Sequence, residues 1–136
     1  MNGEELLSRL WKLHRAVLRD AAPCLHRQGV VPAAFFALAK VAERPHPSAL
    51  AEALGLPRPS VSRLLRRLER LGWLRREADP ADLRRYRLYL TEEGRTALEA
   101  ARRCLAQALE TRLARLSPEE REQLGRLLSV LLSEEG

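Results

Sequence analysis

The sequence predicts a mainly α-helical domain in which one short β-hairpin interrupts the helices. Of the 136 residues, 46% are hydrophobic and only 4% are aromatic. Most of the hydrophobic residues are leucine or alanine, which are strong helix formers. Apolar residues recur at helical spacing except in one segment after Gly72, where the period changes to two. The length fits a single compact domain, so we treat residues 1–136 as one unit.

The first two predicted helices occupy residues 2 to about 22 and residues 32–43. Asn2 can cap the first helix, and leucines follow it at intervals of three and four residues. Pro23 and Gly29 are expected to break that helix. The second helix begins at Pro32 and ends before Pro45.

Two shorter helices are then expected on either side of a tight turn. Residues 48–54 form the first and stop at Gly55, and residues 59–71 form the second and stop at Gly72. Two helices joined by a glycine-containing turn are typical of a helix-turn-helix motif.

A β-hairpin follows this motif. Residues 73–77 and 86–90 show strand patterns, and Asp79-Pro80-Ala81-Asp82 supplies turn residues between them. A hairpin directly after a helix-turn-helix is expected to form a wing beside it.

The chain is predicted to finish with two helices, from residue 91 to about 116 and from Ser117 onward. Ser117, Pro118 and Glu120 form a complete helix-start signature. The last helix carries five leucines on one stripe, which must be buried against a second copy of the chain or against its own first helix. We expect a homodimer held by residues 2–28 and 92–134. The stripe consists of Leu124, Leu127, Leu128, Leu131 and Leu132.

Positive charge is concentrated in one part of the chain. The formal net charge is +6, and residues 58–87 contain ten arginines against four acidic residues. The remaining residues are electrically balanced, so a general arginine bias does not explain the excess. This pattern favours a surface that binds a polyanion over a merely solvated helical face. Arginine suits that task because its planar fork grips phosphate or guanine with two bonds.

The second helix of the motif presents arginines opposite its leucines. In such motifs the N-terminal half of this helix lies nearest the bases, so Ser60, Ser62 and Arg63 are candidates for base contacts. Helix capping is the alternative for Ser60. Arginines further along are placed for phosphate contacts, although we expect Arg70 to pair with Glu69 or Glu77. The predicted DNA-binding set is Arg58, Ser60, Ser62, Arg63, Arg66, Arg67, Arg84 and Arg85.

Several motifs together resemble the MarR-type transcriptional regulators. The first is Leu-Ala-Glu-Ala-Leu-Gly-Leu at residues 50–56, followed by Ser-Val-Ser-Arg at 60–63. The more specific part is Asp-Pro-Ala-Asp-Leu-Arg at 79–84 with Leu-Thr-Glu-Glu-Gly at 90–94. With helices before and after these motifs, the resemblance covers nearly the whole chain.

The resemblance implies a winged-helix homodimer that represses transcription from a palindromic operator in double-stranded DNA. Residues 33–91 would form the DNA-binding lobe. Asp82 would brace Arg84, which would reach into the minor groove. Two positions depart from the family pattern: Leu83 stands where a second arginine is common, and His46 stands where a serine or threonine often caps the helix.

Relatives often bind a small aromatic or lipophilic effector between the dimer helices and the DNA-binding lobe. Trp11, His14, Phe35 and Phe36 could line such a pocket, although these residues also fit an ordinary core.

The two cysteines and three histidines do not form a metal-binding pattern, and no cofactor is expected. Cys24 and Cys104, 80 positions apart, are interpreted as buried apolar residues, with redox sensing at Cys24 as the alternative. No nucleophile, general base or phosphate loop indicates an enzyme. The acidic N-terminus and the absence of a long apolar run favour a cytoplasmic protein without membrane contact.

The sequence therefore predicts a non-enzymatic, DNA-binding transcriptional regulator. Two alternatives stay open: a winged-helix module that binds protein instead of DNA, and a redox- or metal-responsive form of the regulator.

Overall fold

A computed structural model describes residues 1–133, and residues 134–136, which include the last position of the predicted 92–134 segment, lie outside the described part. The prediction of a mainly helical fold with one two-stranded hairpin is confirmed. In chain order the elements are α1 (Gly3–Arg27), α2 (Pro32–Lys40), α3 (Pro47–Leu54), α4 (Arg58–Arg70), β1 (Leu74–Asp79), β2 (Asp82–Leu90), α5 (Glu92–Leu113) and α6 (Pro118–Leu132).

Helix α1 continues through Pro23, so the predicted end near residue 22 is wrong. Asn2 caps the helix as expected and accepts a hydrogen bond from the Glu5 amide at 2.9 Å. Pro23 cannot donate to the carbonyl of Arg19, but both residues are exposed and water can satisfy that carbonyl. The helix ends at Gln28, and Gly29 follows in the left-handed conformation at φ 71°.

Helix α2 is three residues shorter than predicted. It begins at Pro32 as expected, but the segment after Lys40 forms a turn in which the amides of Glu43 and Arg44 donate to the Lys40 carbonyl. The backbone must leave the helical region before Pro45, because a residue that precedes proline disfavours that conformation.

The helix-turn-helix lies within one residue of its predicted bounds. Helix α3 ends at Gly55, whose left-handed conformation at φ 66° allows the turn into α4. The Leu56 amide donates to the Ala51 carbonyl at 3.2 Å, which closes the end of the helix. Val61, Leu65 and Leu68 of α4 are buried, as the leucine pattern predicted.

The hairpin is longer than predicted and has an irregular tip. β2 begins at Asp82 instead of residue 86, and the strands pair from Leu74↔Leu90 to Ala78↔Tyr86 before the register jumps to Asp79↔Asp82. Residues 83–85 therefore have no partner across the hairpin and form a bulge. The sequence of residues 82–85 did not predict the earlier start of β2 or the bulge, because three of these four residues are charged and show no strand pattern.

The β-hairpin is attached to the core at its base. Leu74 and Leu88 face inward and are buried, and the Leu88 amide donates to the Pro45 carbonyl at 2.7 Å. The segment before α3 thus runs beside β2. This contact places the hairpin next to the helix-turn-helix.

The start of α5 is tied to the end of the hairpin by Thr91. Its hydroxyl donates to the Gly72 carbonyl at 2.5 Å and accepts from the Gly94 amide at 3.0 Å. A Cβ at Gly94 would collide with the Trp73 carbonyl and with Leu90. The Thr-x-x-Gly pattern in the sequence therefore reflects a close packing of α5 against the backbone after α4.

Helix α5 packs along α1 through small side chains. Ala97, Ala101 and Ala108 of α5 are buried, as is Ala21 of α1, and small residues allow two helices to approach closely. An ion pair between Arg112 Nε and Asp20 Oδ2 at 2.7 Å joins the same two helices. The Arg112 hydrogen bond lowers the pKa of the Asp20 carboxyl.

A disulfide links α1 to α5, which corrects the interpretation of both cysteines as free apolar residues. Cys24 and Cys104 are joined with their Cα atoms 5.6 Å apart. Cys104 is buried as expected, but Cys24 is only half-buried. Their separation in sequence hid the pair, because only the packing of α1 on α5 brings them together.

Helix α6 begins with the predicted capping box. The Glu120 amide donates to the Ser117 hydroxyl, and the Ser117 amide donates to the Glu120 carboxylate. An ion pair between Arg121 and Glu110 links α6 to α5 and lowers the pKa of the Glu110 carboxyl. No α6 residue up to Leu132 is buried, and the exposed fraction of Leu131 reaches 76%. Four of the five stripe leucines are therefore exposed in the described part of the chain, and Leu124 is half-buried.

Candidate nucleic-acid interface

The exposed face of α4 is strongly basic. Arg63, Arg66, Arg67 and Arg70 are all exposed on the side opposite the buried leucines. Glu69, the only acid of this helix, is neutralised by an ion pair of 2.8 Å with Arg76 at the start of the hairpin. The helix thus buries one side and presents guanidinium groups on the other.

The predicted pairing of Arg70 with an acidic residue is wrong. Glu69 binds Arg76 instead, and Glu77 binds Arg75 at 2.8 Å. Because both nearby carboxylates have other partners, none of the four exposed arginines on this side of α4 forms an ion pair with an acid within residues 1–133.

Local contacts orient two of the α4 arginines. Arg63 Nη2 donates to the Ser60 hydroxyl at 3.5 Å, and Arg66 Nε donates to the Ser62 carbonyl at 3.4 Å. Ser60 is half-buried while Ser62 is exposed. Ser60 makes no side-chain cap to α4, whose N-cap position is Pro57. Both contacts are long, so the guanidinium groups keep hydrogen-bond donors for a ligand.

The bulge of the hairpin presents Arg84, with its side chain 90% exposed. Asp82 Oδ1 accepts hydrogen bonds from both the Arg84 amide and Arg84 Nε at 3.1 Å. The Arg84 side chain is the main cause of a lowered pKa at the Asp82 carboxyl. Asp82 and Arg84 therefore lie together as predicted, and Leu83 between them is exposed.

A groove of about 570 Å³ separates the β-hairpin from the helix-turn-helix. It places Arg58 and Ser62 of α4 opposite Arg85 of β2. Predicted binding residues from two distant parts of the sequence thus share one face of the molecule. Such a convergence of guanidinium groups creates a positive field that attracts phosphate.

Three further arginines of the hairpin stack on tyrosines. Arg75 and Arg87 lie 4.9 Å and 5.8 Å from the ring centre of Tyr89, and Arg76 lies 5.2 Å from that of Tyr86. Cation–π contacts of this kind stiffen the hairpin. The sequence signal for them was the presence of arginines on both strands and of two tyrosines, Tyr86 and Tyr89, on β2.

His46 makes a contact that the sequence did not reveal. It stands at the N-cap of α3 without forming a side-chain cap, as the departure from the family pattern suggested. Its ring instead reaches the hairpin, with Nδ1 3.0 Å from the Tyr86 carbonyl and Nε2 3.3 Å from Asp79 Oδ2.

The aromatic residues predicted to line an effector pocket are brought together only in part. His14 and Phe36 stack with ring centres 6.5 Å apart, and Phe35 meets Phe36 edge to face at 5.3 Å. Trp11 is 64% exposed and lies among the exposed leucines of α1. Phe35 packs partly against the core.

Residues 1–133 contain no group of three or more metal-ligating side chains. No helix in the same range is long and apolar enough to cross a membrane.

The helix-turn-helix of α3 and α4, the adjacent hairpin and the exposed arginines define a winged helix-turn-helix protein with a basic face. A family model described as the MarR family matches residues 28–85. The chain is 32% identical over 139 residues to the transcriptional repressor MprA of Escherichia coli K12, covering 96% of this chain and 77% of MprA. It is 35% identical over 106 residues to a putative transcriptional regulatory protein for the hcr operon of Thauera aromatica, covering 76% of this chain and 64% of that protein.

Solved structures show the same relationship. MepR, a transcription regulator of the multidrug efflux pump MepA in Staphylococcus aureus, superposes with a TM-score of 0.76 at 25% identity, covering all of both chains. A MepR mutant bound to an oligodeoxyribonucleotide has a TM-score of 0.66 at 26% identity, again covering both chains in full. The chain belongs to the MarR family of transcriptional regulators, which are DNA-binding proteins and not enzymes.

Proposed function

We propose that this chain is a sequence-specific DNA-binding repressor that acts as a homodimer on a palindromic operator. The observation that carries the proposal is the exposed side of α4, where no ion pair within residues 1–133 involves Arg63, Arg66, Arg67 or Arg70. Arg58 and Ser62 of the same helix line one groove with Arg85 of the hairpin. Exposed, unneutralised arginines on a helix of this motif suit the phosphates and bases of the major groove.

The α4 residues would divide into base and phosphate contacts. Arg63 lies near the start of α4, and its contact with Ser60 would aim its guanidinium along the N-terminal half of the helix. Arg63, Ser60 and Ser62 would therefore face base edges. Arg66, Arg67 and Arg58 would hold flanking phosphates, which fix the register without reading sequence.

The hairpin would add a minor-groove contact through Arg84. Its exposure gives the side chain freedom to enter a narrow groove, and Asp82 limits the directions in which it can point. Asp82→Ala should therefore weaken binding less than Arg84→Ala, because it frees the arginine without removing it. Arg85, the next residue of β2, would support the same contact from the hairpin.

A dimer would cover the apolar surface that one chain leaves open. Leucines of α6 and of the N-terminal half of α1 are exposed together with Trp11, more than a monomeric protein normally shows. Ending the chain before Ser117 should give a monomeric or insoluble protein with much weaker DNA binding. Sedimentation velocity tests this, and a truncated protein that remains dimeric would contradict it.

Selection of bound duplexes from a random pool tests DNA binding, symmetry and spacing together. A repressor dimer should enrich an inverted repeat whose half-sites lie about one helical turn apart. Affinity for that duplex should fall steeply with salt because arginine–phosphate contacts release counterions. Failure to retain any duplex at low salt would favour the alternative of a protein-interaction module.

A small lipophilic effector would act at the aromatic contact between α1 and α2. His14 and Phe36 stack on each other but stay partly exposed, which leaves room for a ligand to pack against the two rings. Fluorescence of an anilinonaphthalene sulfonate dye tests the site. Dye binding should be lost in Phe36→Ala while DNA affinity stays unchanged.

Redox control is a second candidate, favoured by the Cys24–Cys104 disulfide. The bond joins α1, which carries part of the proposed dimer surface, to α5, which leads to the hairpin. Operator affinity before and after reduction with dithiothreitol tests it. A Cys24→Ala, Cys104→Ala double variant, which cannot respond, is the control.

A further inference from the structure

The inner face of the hairpin carries an arginine among its apolar residues. Side chains of a strand alternate between its two faces, so Arg76 lies on the same side of β1 as the buried Leu74. The residue opposite Arg76 across the hairpin is Leu88, which is also buried. This is the face that packs against the helices. A charged side chain in that position requires a partner, because desolvation of an unpaired charge is costly.

Arg76 finds its partner on α4. Its Nε donates a hydrogen bond to Glu69 Oε1 at 2.8 Å, and Glu69 lies in the last turn of α4. The guanidinium carbon of Arg76 also lies 5.2 Å from the ring centre of Tyr86 on β2. One side chain of β1 thus holds α4 through an ion pair and β2 through an aromatic ring.

A second ion pair of β1 has the same length but a different position. Arg75 Nε donates to Glu77 Oε1 at 2.8 Å, and Arg75 also lies over the ring of Tyr89. Both charged residues belong to β1, so their pair does not reach α4. Their side chains are 55% and 50% exposed, against 31% and 28% for Arg76 and Glu69. The less exposed pair is screened less by water and salt, so it couples its two elements more strongly.

The ion pair between Arg76 and Glu69 lies beside the side of α4 that is proposed to contact DNA. Ser62 and Arg66 line the same small groove as Glu69 and Arg76. A winged helix-turn-helix that reads a major groove with α4 can place Arg84 in the adjacent minor groove only if the hairpin stands at a suitable angle to α4. The angle between these two elements therefore bears directly on operator binding.

We propose that Arg76 is a positioning residue for DNA binding, which holds the hairpin at a fixed orientation to α4 through Glu69 and Tyr86. This inference rests on the proposed DNA-binding function. Arg76 acts through geometry, because Glu69 already neutralises its charge. Loss of the pair should therefore weaken binding to the operator, which needs both grooves at once, more than binding to random duplex, which needs only phosphate neutralisation.

The test compares two charge-balanced double variants. Glu69→Gln, Arg76→Gln removes the pair that reaches α4, and Arg75→Gln, Glu77→Gln removes the pair within β1. Each variant loses one acid and one arginine, so both keep the formal net charge of +6. A single Arg76→Gln change would leave Glu69 unneutralised in the groove that Arg66 lines, and would combine a charge effect with a geometric one.

The Kd of each protein is measured at one salt concentration on two labelled duplexes: the duplex enriched from the random pool and a random duplex of equal length. The Glu69, Arg76 double variant should bind the enriched duplex roughly fivefold more weakly than wild type, the factor expected for the loss of one ion pair of this exposure. Its affinity for the random duplex should stay unchanged. The Arg75, Glu77 double variant should match wild type on both. Equal weakening of the first variant on both duplexes, or weakening on neither, would overturn the positioning role.

A second readout needs no DNA. In the free protein, residual dipolar couplings of backbone amides report the orientation of the hairpin relative to α4. One alignment tensor should fit both elements in wild type and in the Arg75, Glu77 variant, whereas the hairpin couplings should shrink or need a different tensor in the Glu69, Arg76 variant. Couplings that stay as in wild type would overturn the proposal. Altered couplings, together with failure of wild type to retain any duplex at low salt, would instead refute DNA binding and leave the Arg76 link standing.

Discussion

Reduction of the Cys24–Cys104 bond should lower the thermal stability of the protein by a large, measurable amount. The two cysteines are 80 residues apart, so the bond closes more than half of the chain into one loop. In the chain-entropy model a loop of this length raises the free energy of unfolding by about 4.5 kcal/mol at 25 °C. The gain comes from restricting the unfolded chain, so it is independent of any new contact in the folded state.

This free energy corresponds to a drop in Tm of about 15 °C for a chain of this size, from the usual unfolding entropy per residue. Circular dichroism melts with and without dithiothreitol measure it, at one fixed protein concentration because the proposed dimerisation would also raise Tm. A Cys24→Ala, Cys104→Ala double variant controls for side effects of the reductant, and its Tm should not respond.

Two results would refute the reasoning. Alkylation and mass spectrometry of the unreduced protein could show two free thiols, which would mean that the cysteines are not joined. Alternatively, reduction could shift Tm by less than about 2 °C in a protein shown to be fully oxidised, although each kcal/mol should move it by several degrees. The unfolded chain would then not be the main origin of the stabilisation.

The other predictions concern DNA affinity and packing. Arg63→Ala should cost about 1–3 kcal/mol on the selected operator and much less on random duplex, and equal losses on both would show that it only grips the backbone. Arg67→Ala should weaken both duplexes alike and flatten the slope of log K against log salt by roughly 1.8 per dimer, since each phosphate contact contributes about 0.9. Arg84→Ala should reduce the preference for A·T-rich flanks in a competition assay, and an unchanged preference would remove the hairpin from the minor groove. Gly94→Ala should lower the free energy of unfolding by about 3 kcal/mol in urea titrations because of the Trp73 carbonyl, whereas Gly125→Ala, where a Cβ meets nothing within 4 Å, should be neutral or stabilising.

Local signals predicted most of the fold. The caps at Asn2 and Ser117, the turn at Gly55 and the leucine side of α4 all depend on residues within one or two helical turns of each other. All the groups that form each of these features lie within that short stretch of sequence, so the features can be predicted from the sequence alone. The Asp82–Arg84 pair belongs to the same class, because its members are two residues apart.

The missed features depend on residues that are distant in sequence. The disulfide needs α1 to pack on α5, and the His46–Asp79 contact needs the hairpin to fold back beside α3. Neither leaves a local pattern. Pro23 misled the prediction for a different reason: a proline is normally a helix breaker, but here Pro23 and Arg19 are both exposed, so water can replace the lost hydrogen bond within α1.

The bonding around Thr91 has a mechanical consequence. Its hydroxyl and amide hold the backbone at Gly72 and Trp73, while Gly94 lets α5 touch that backbone directly. These contacts restrict relative motion between α5 and the hairpin, so the two elements move together. A rotation of α5 within the proposed dimer would therefore also displace the tip of the hairpin, where Arg84 lies.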